Sequence, residues 1–177
     1  MKILYTADQV TQRIDEMARD IIVRYPNNKP LFVCLLRGAV PFTSQLMTAI
    51  TRHDPNFHPE VVYMQTSTYG SDRMPGETTA YSSVADADFA GQTIIVLDDC
   101  LDHGVTYAKV KQFLIDNDAA SVKLVVLVNK DTARKGVDEP LIAGFTTPDI
   151  WLVGMGMDDA SVAPEAERWA DYIGDAS

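Results

Sequence analysis

The 177-residue chain is short of positive charge: 15 lysines and arginines stand against 25 aspartates and glutamates, a formal charge of -10. That balance argues against a nucleic-acid or acidic-membrane surface, while leaving room for a local basic pocket. Cysteine is scarce as well. Cys34 and Cys100 each sit among apolar residues without metal-type spacing, which reads as two small buried hydrophobes in a reducing compartment. No apolar run reaches membrane-span length, and the opening "MKILYTADQV" lacks the apolar core of a secretory leader. Internal repeats, low-complexity tracts and linkers are missing too. What is present is an ordinary globular composition, 46% hydrophobic and 23% charged, expected to form a single cytoplasmic domain over 1–177.

Thr6 followed by Gln9 has the pattern of a capping box, and Val10, Ile14, Met17, Ala18 and Ile21 then recur at helical spacing up to "YPNN". "LFVCLL" (31–36) is a continuous apolar run, as expected of a strand buried on both faces, and a second helical pattern runs through Leu46, Met47 and Ile50. Further strands are predicted at 60–69, 93–98, 122–128 and 150–153, with a helix from Val105 to Asn117. Strands alternating with helices predict an α/β fold, a mostly parallel central sheet flanked by helices. One segment departs from the pattern. "STYGSDRMPGETTA" (67–80) is rich in Gly, Ser, Thr and Pro, and a loop of that length predicts a lid over a site.

"TIIVLDDCLDHGVTY" (93–107) carries the functional signal. In open parallel sheets ligands sit beyond the carboxyl ends of the strands, where Asp98 and Asp99 fall. "DHGVT" then turns into a helix whose first N–H groups and positive dipole end suit a monophosphate. Carboxylates beside such a cradle suit sugar hydroxyls or magnesium, a hard cation that prefers oxygen. Taken alone, Asp102 would be a helix N-cap and the acid pair solvated charges.

The segment "IIVLDDCLDHGVT" resembles the phosphoribosyl-pyrophosphate signature of the type I phosphoribosyltransferases. "LLRGAVPF", "TYG", "LVNKDTARK" and "GFTTPDIWLVGMGMD" resemble, in order, four further segments of the hypoxanthine-guanine phosphoribosyltransferases. The resemblance implies transfer of ribose 5-phosphate from phosphoribosyl pyrophosphate to a 6-oxopurine (hypoxanthine, guanine or xanthine) in purine salvage. It implies magnesium (Mg2+) as cofactor, and a homodimer or homotetramer with neither a nucleic-acid nor a membrane partner. By the same resemblance Asp98 and Asp99 match the acids at the ribose hydroxyls, and Asp102, His103, Gly104, Val105 and Thr106 the 5-phosphate loop. Asp102 matches the general base at purine N7, Lys130 the donor to the 6-oxo group, Trp151 the stacking ring and Leu152 the backbone at the purine edge. Arg37 and Gly38 match a pyrophosphate loop in which a non-proline cis peptide is common, and Arg134 matches a basic residue near it. Asp158 matches an acid that joins Asp98 and Asp99 in holding magnesium, and Thr68 and Tyr69 belong to the lid.

Three positions depart from the family pattern. His103 replaces a threonine, Asp98 shortens a common Glu-Asp pair by a methylene, and Pro164 stands near the place of a downstream arginine, with Arg168 beyond it. Two other readings share these features. A non-catalytic sensor of the phosphoribosyl donor would need neither Asp102 nor Lys130, and usually adds a DNA-binding module. A phosphorylated receiver domain would carry its acid pair after the first strand, whereas here the pair follows the third.

Overall fold

In the computed structural model the described residues are 1–68, 78–82, 87–132, 137–157 and 165–177. The chain runs β1 (Lys2–Tyr5), α1 (Ala7–Arg24), β2 (Leu31–Leu36), α2 (Val40–His53), β3 (Glu60–Thr68) and β4 (Thr78–Ser82). It continues through β5 (Thr93–Leu101), α3 (Val105–Asp116), β6 (Ser121–Lys130), β7 (Ile142–Thr147), β8 (Leu152–Val153), a short 3-10 helix (Glu165–Trp169) and β9 (Ile173–Asp175). The main sheet has the order β4-β3-β2-β5-β6-β7, parallel throughout except that β4 runs antiparallel to β3. A second, antiparallel sheet joins the two ends of the chain in the order β1-β9-β8.

The apolar runs of β5 and β6 are continuous because both faces of the sheet are covered. Ile95, Leu97, Val125 and Leu127 face the core shared with Ile14 and Met17 of α1 and Phe42 and Leu46 of α2. Ile94, Val96, Leu124 and Val126 face the opposite core, with Tyr107, Val110 and Leu114 of α3. Each such side chain contributes about 1.5–3 kcal/mol by leaving water. The capping box forms: the Gln9 N–H donates to Thr6 Oγ1 and the Thr6 N–H to Gln9 Oε1. All five apolar residues predicted on the inner face of α1 are buried.

Several elements differ from expectation. The predicted 67–80 loop begins and ends as strand, because Ser67 pairs with Thr79 and Thr68 with Thr78. β5 continues beyond Asp98 to Leu101, so the acid pair lies inside the strand near its end, and β6 reaches Lys130, so the lysine closes its strand rather than following it. β1, β7 and β9 were not predicted, and the run at 150–153 narrows to Leu152–Val153. No helix among the described residues is long and apolar enough to cross a membrane. After β2 the chain crosses to the α1/α2 face, and after β5 to the α3 face. β2 and β5 are neighbours, so their carboxyl ends bound a crevice of the kind in which α/β sheets place ligands.

Candidate active site

Two adjoining cavities open at that crevice, one of about 370 Å3 and one of about 240 Å3. Asp98, Cys100, Asp102 and Thr106 line both, so the two form one site with a shared acidic wall. A larger open groove of about 940 Å3 lies between α2 and the start of β3 and contains none of the predicted site residues.

The smaller cavity is built by the turn into α3. Gly104 takes the N-cap position at φ 75°, a left-handed conformation open to glycine, and makes no side-chain cap. A methyl group there would also meet Val137 Cγ1 at 2.7 Å. Asp102 is therefore not the cap that its position alone predicted. The first intrahelical bond of the turn is Ala108 N–H to the Gly104 carbonyl at 2.9 Å, so the N–H groups of Val105, Thr106 and Tyr107 head the helix without a helical acceptor. Such groups suit the cavity to an anion. His103 is largely exposed, its Nδ1 3.6 Å from Asp102 Oδ1.

Asp98 and Asp99 keep partial exposure through the cavity while protein surrounds them closely. Each carboxylate accepts one backbone N–H, Asp98 from Asp99 at 3.0 Å and Asp99 from Cys100 at 2.9 Å. Burial pushes both acids above the ordinary carboxylate range, and the neighbouring charge of Asp99 raises Asp98 further. The positive charge of Arg168 is among the influences that pull Asp99 back. Two like charges in a desolvated niche create a demand for a cation or for hydroxyl donors. Burial also lifts the Cys100 thiol to about 12, with Asp99 adding to it, so that sulfur is no nucleophile.

Lys130 is almost fully buried at the end of β6, donating to Asp102 Oδ2 at 3.1 Å and to Asp149 Oδ1 at 3.4 Å. Burial by itself opposes the charge on Lys130. The hydrogen bond and charge of Asp102 outweigh that, with Asp149 adding, and hold the ammonium above its ordinary value. The other Asp102 oxygen, Oδ1, is buried with no hydrogen-bond partner among the described residues. The Asp102 carbonyl is fixed by the Thr132 hydroxyl at 3.0 Å. Trp151 lies 5.8 Å from the Lys130 nitrogen and is 57% exposed, so it serves no core and is open to a flat ligand. Leu152 is buried beside it in β8.

The remaining wall comes from close backbone approach. The Leu36–Arg37 peptide is cis, and Gly38 lies so near Asp99 that an added methyl group would sit 2.1 Å from its Oδ2. Gly156, at φ 96°, packs against the Gly38 carbonyl in the same way, at 1.7 Å. Its N–H donates to the Arg168 carbonyl at 2.8 Å, so the 3-10 helix, the 154–157 turn and the Gly38 loop form one stack. Arg168 thereby joins the larger cavity, whereas Arg37 is exposed and outside its wall. Tyr69, Arg134 and Asp158 lie outside the described residues, as does the side chain of Thr68. Asp149, Thr132 and Gly156 were not singled out from the sequence. The alternation "GMGMD", with Gly154, Met155 and Gly156 all at positive φ, was the available sign of the last.

Fold and cavity together define an α/β domain with an anion cradle, an acid pair and a buried lysine at the carboxyl edge of its sheet. The family described as phosphoribosyl transferase domain matches residues 1–160, and the chain belongs to it. It is 30% identical, over 98% of its length, to the bifunctional protein TilS/HprT of Listeria innocua, spanning about a quarter (25%) of that longer protein. It is 27% identical to the hypoxanthine-guanine phosphoribosyltransferase of Bacillus subtilis, over 98% of this chain and 91% of the relative. A crystal structure of a hypoxanthine phosphoribosyltransferase from Staphylococcus aureus superposes with a TM-score of 0.85 at 23% identity, covering 100% of this chain and 91% of the other.

Proposed function

We propose that the chain is a purine salvage enzyme, transferring the 5-phosphoribosyl group from phosphoribosyl pyrophosphate to hypoxanthine or guanine. The products are the nucleoside monophosphate and pyrophosphate, and xanthine belongs to the same chemical class of acceptor. The observation that carries the reading is the position of Asp102, on the wall shared by both cavities. One of its oxygens is engaged by Lys130, and the other is a buried acceptor with a lone pair to offer.

The 5-phosphate occupies the cradle at the N-terminus of α3, with Gly104, Val105 and Thr106 donating and the His103 ring at its rim. The ribose hydroxyls face Asp98 and Asp99, which also place negative charge beside a sugar that turns cationic as its C1′–O bond breaks. The purine stacks on Trp151, receives a hydrogen bond on its 6-oxo group from Lys130 and presents its edge to the Leu152 backbone. As N9 attacks C1′, the N7 proton passes to Asp102 Oδ1 and pyrophosphate leaves with the bonding pair. Arg168 and Gly38 attend the pyrophosphate, where the family resemblance alone also places Arg37 and Arg134, so that Arg168 supplies the charge that Pro164 does not.

The acid pair fits magnesium: two crowded carboxylates in a desolvated niche offer hard oxygen ligands and gain from a divalent cation. Among the described residues no group of three or more His, Cys, Asp or Glu forms a complete cage. Asp98 and Asp99 would therefore hold the ion together with Asp158 and the donor's own oxygens. When bound there, magnesium supplies charge neutralisation for the leaving pyrophosphate. The same reading carries a cytoplasmic homodimer or homotetramer, as the family resemblance implies.

Asp102→Asn tests the assignment, since it preserves shape and removes proton acceptance. The expected result is a fall in kcat of roughly 10²–10⁴-fold with little change in donor affinity. A variant with unchanged kcat, chemistry being rate-limiting, would remove Asp102 from the role.

A further inference from the structure

We propose that Asp149 is a positioning residue that keeps the Lys130 ammonium placed and charged at the purine end of the cavity while Asp102 changes its own charge. The inference rests on the functional reading above and deepens it. Lys130 reaches the site between two carboxylates, Asp102 at 3.1 Å from the β5–α3 turn and Asp149 at 3.4 Å from the β7–β8 loop. Cys100 on β5 and the Trp151 ring also lie beside it.

The two carboxylates have unequal fates during turnover. When N7 loses its proton, Asp102 goes from carboxylate to carboxylic acid and its attraction for Lys130 disappears at the moment the 6-oxo oxygen gains electron density. A nearly buried ammonium that loses one of its anions is held less firmly in its charged form, since burial favours the neutral amine. Asp149 does not take part in the proton transfer. It sits in "TTPDIW", two residues before the stacking residue Trp151. One short loop therefore carries both the ring platform and the anchor of the lysine, and the Ile150 N–H bond to the Pro148 carbonyl at 3.0 Å tightens that loop.

The test compares Asp149→Asn and Asp149→Glu with the parent, using hypoxanthine and phosphoribosyl pyrophosphate. Asp149 is more than half exposed, so its ion pair is screened and the expected rise in hypoxanthine KM for Asp149→Asn is about two- to five-fold. Donor affinity should not move. The purine interaction needs protonated Lys130, so it is present below the lysine pKa and lost as pH rises through it. Removing an anion lowers that pKa, and the alkaline limb of kcat/KM for hypoxanthine should move to lower pH in Asp149→Asn and return in Asp149→Glu. An unchanged hypoxanthine KM, an unmoved alkaline limb, or equal losses for purine and donor would each overturn the proposal. If the parent itself used no 6-oxopurine, it is the functional reading that would fall, which separates the two failures.

Discussion

Replacing Gly38 by alanine brings a single methyl group against the acid that the site depends on. The new carbon would lie 2.1 Å from Asp99 Oδ2, where ordinary contact begins near 3.4 Å, so the carboxylate or the loop must retreat by roughly 1.3 Å. Asp99 is not free to swing, because its Oδ1 holds the Cys100 N–H at 2.9 Å. Overpacking of this kind costs about 1–3 kcal/mol, and for a protein of this length each kcal/mol shifts Tm by ~2–4 °C, so Gly38→Ala should melt roughly 2–12 °C below the parent. Gly156→Ala should be worse: its methyl meets the Gly38 carbonyl at 1.7 Å, and φ 96° adds about 1–3 kcal/mol of backbone strain. Gly91→Ala is the control, with φ 70° but open space around it, which leaves only about 1–2 kcal/mol of left-handed strain. The assay pairs thermal melting with donor kcat/KM, measured by pyrophosphate release well below each midpoint. A reacting-group displacement near 1 Å can cost ~10²-fold, so Gly38→Ala should lose activity on that scale and Gly91→Ala should not. A Gly38→Ala protein within twofold of the parent would refute the placement of Asp99 at the working surface.

Two further outcomes follow from the acid pair. Asp98→Asn should raise the Tm of the ligand-free protein while destroying activity. The raised folded-state pKa of Asp98 means that folded protein binds protons more tightly than unfolded protein, so stability falls as pH rises from the ordinary carboxylate value through the folded one. The gain from Asp98→Asn should therefore be small at acid pH and level off above that window at about 0.5–2 kcal/mol, roughly 1–8 °C. A gain that shrinks as pH rises would contradict the cause assigned. Chelation of divalent metal should abolish turnover and added magnesium restore it; full activity in excess chelator would remove the ion from the reaction.

Much of this site could be read in one dimension because its parts fall where strands end. β2, β5 and β6 are covered on both faces, so their apolar runs stand out, and each leads directly to residues of the candidate site: Gly38, Asp98 to Asp102, and Lys130. The elements that escaped notice lack that signal. Among the described residues β7 is an edge strand paired with β6 alone, partly exposed and interrupted by Gly144. β1 and β9 are four and three residues long and pair across nearly the whole chain, Lys2 with Asp175, so nothing local marks them. Asp102 looked like a cap because Ser, Thr, Asn and Asp usually take that position, and Gly104 took it instead. Arg168 and Asp149 reach the site through tertiary contacts alone. The first arrives because Gly156 lies on the Gly38 loop, and the second because β7 lies beside β6.

The most direct measurement is pyrophosphate release from phosphoribosyl pyrophosphate and magnesium with hypoxanthine, guanine, xanthine or adenine as acceptor. In the proposed function Lys130 faces the 6-position, and because it carries donors and no acceptor it would satisfy a 6-oxo oxygen and leave the amino group of adenine unpaired against a positive charge. Stacking on Trp151, as proposed, would not discriminate, since every purine offers a similar face. The expected result is turnover of hypoxanthine and guanine with kcat/KM for adenine lower by up to ~10⁴-fold, and a Lys130→Ala variant that loses most of the difference. Adenine used as readily as hypoxanthine would contradict the role of Lys130, and with it the choice of acceptor.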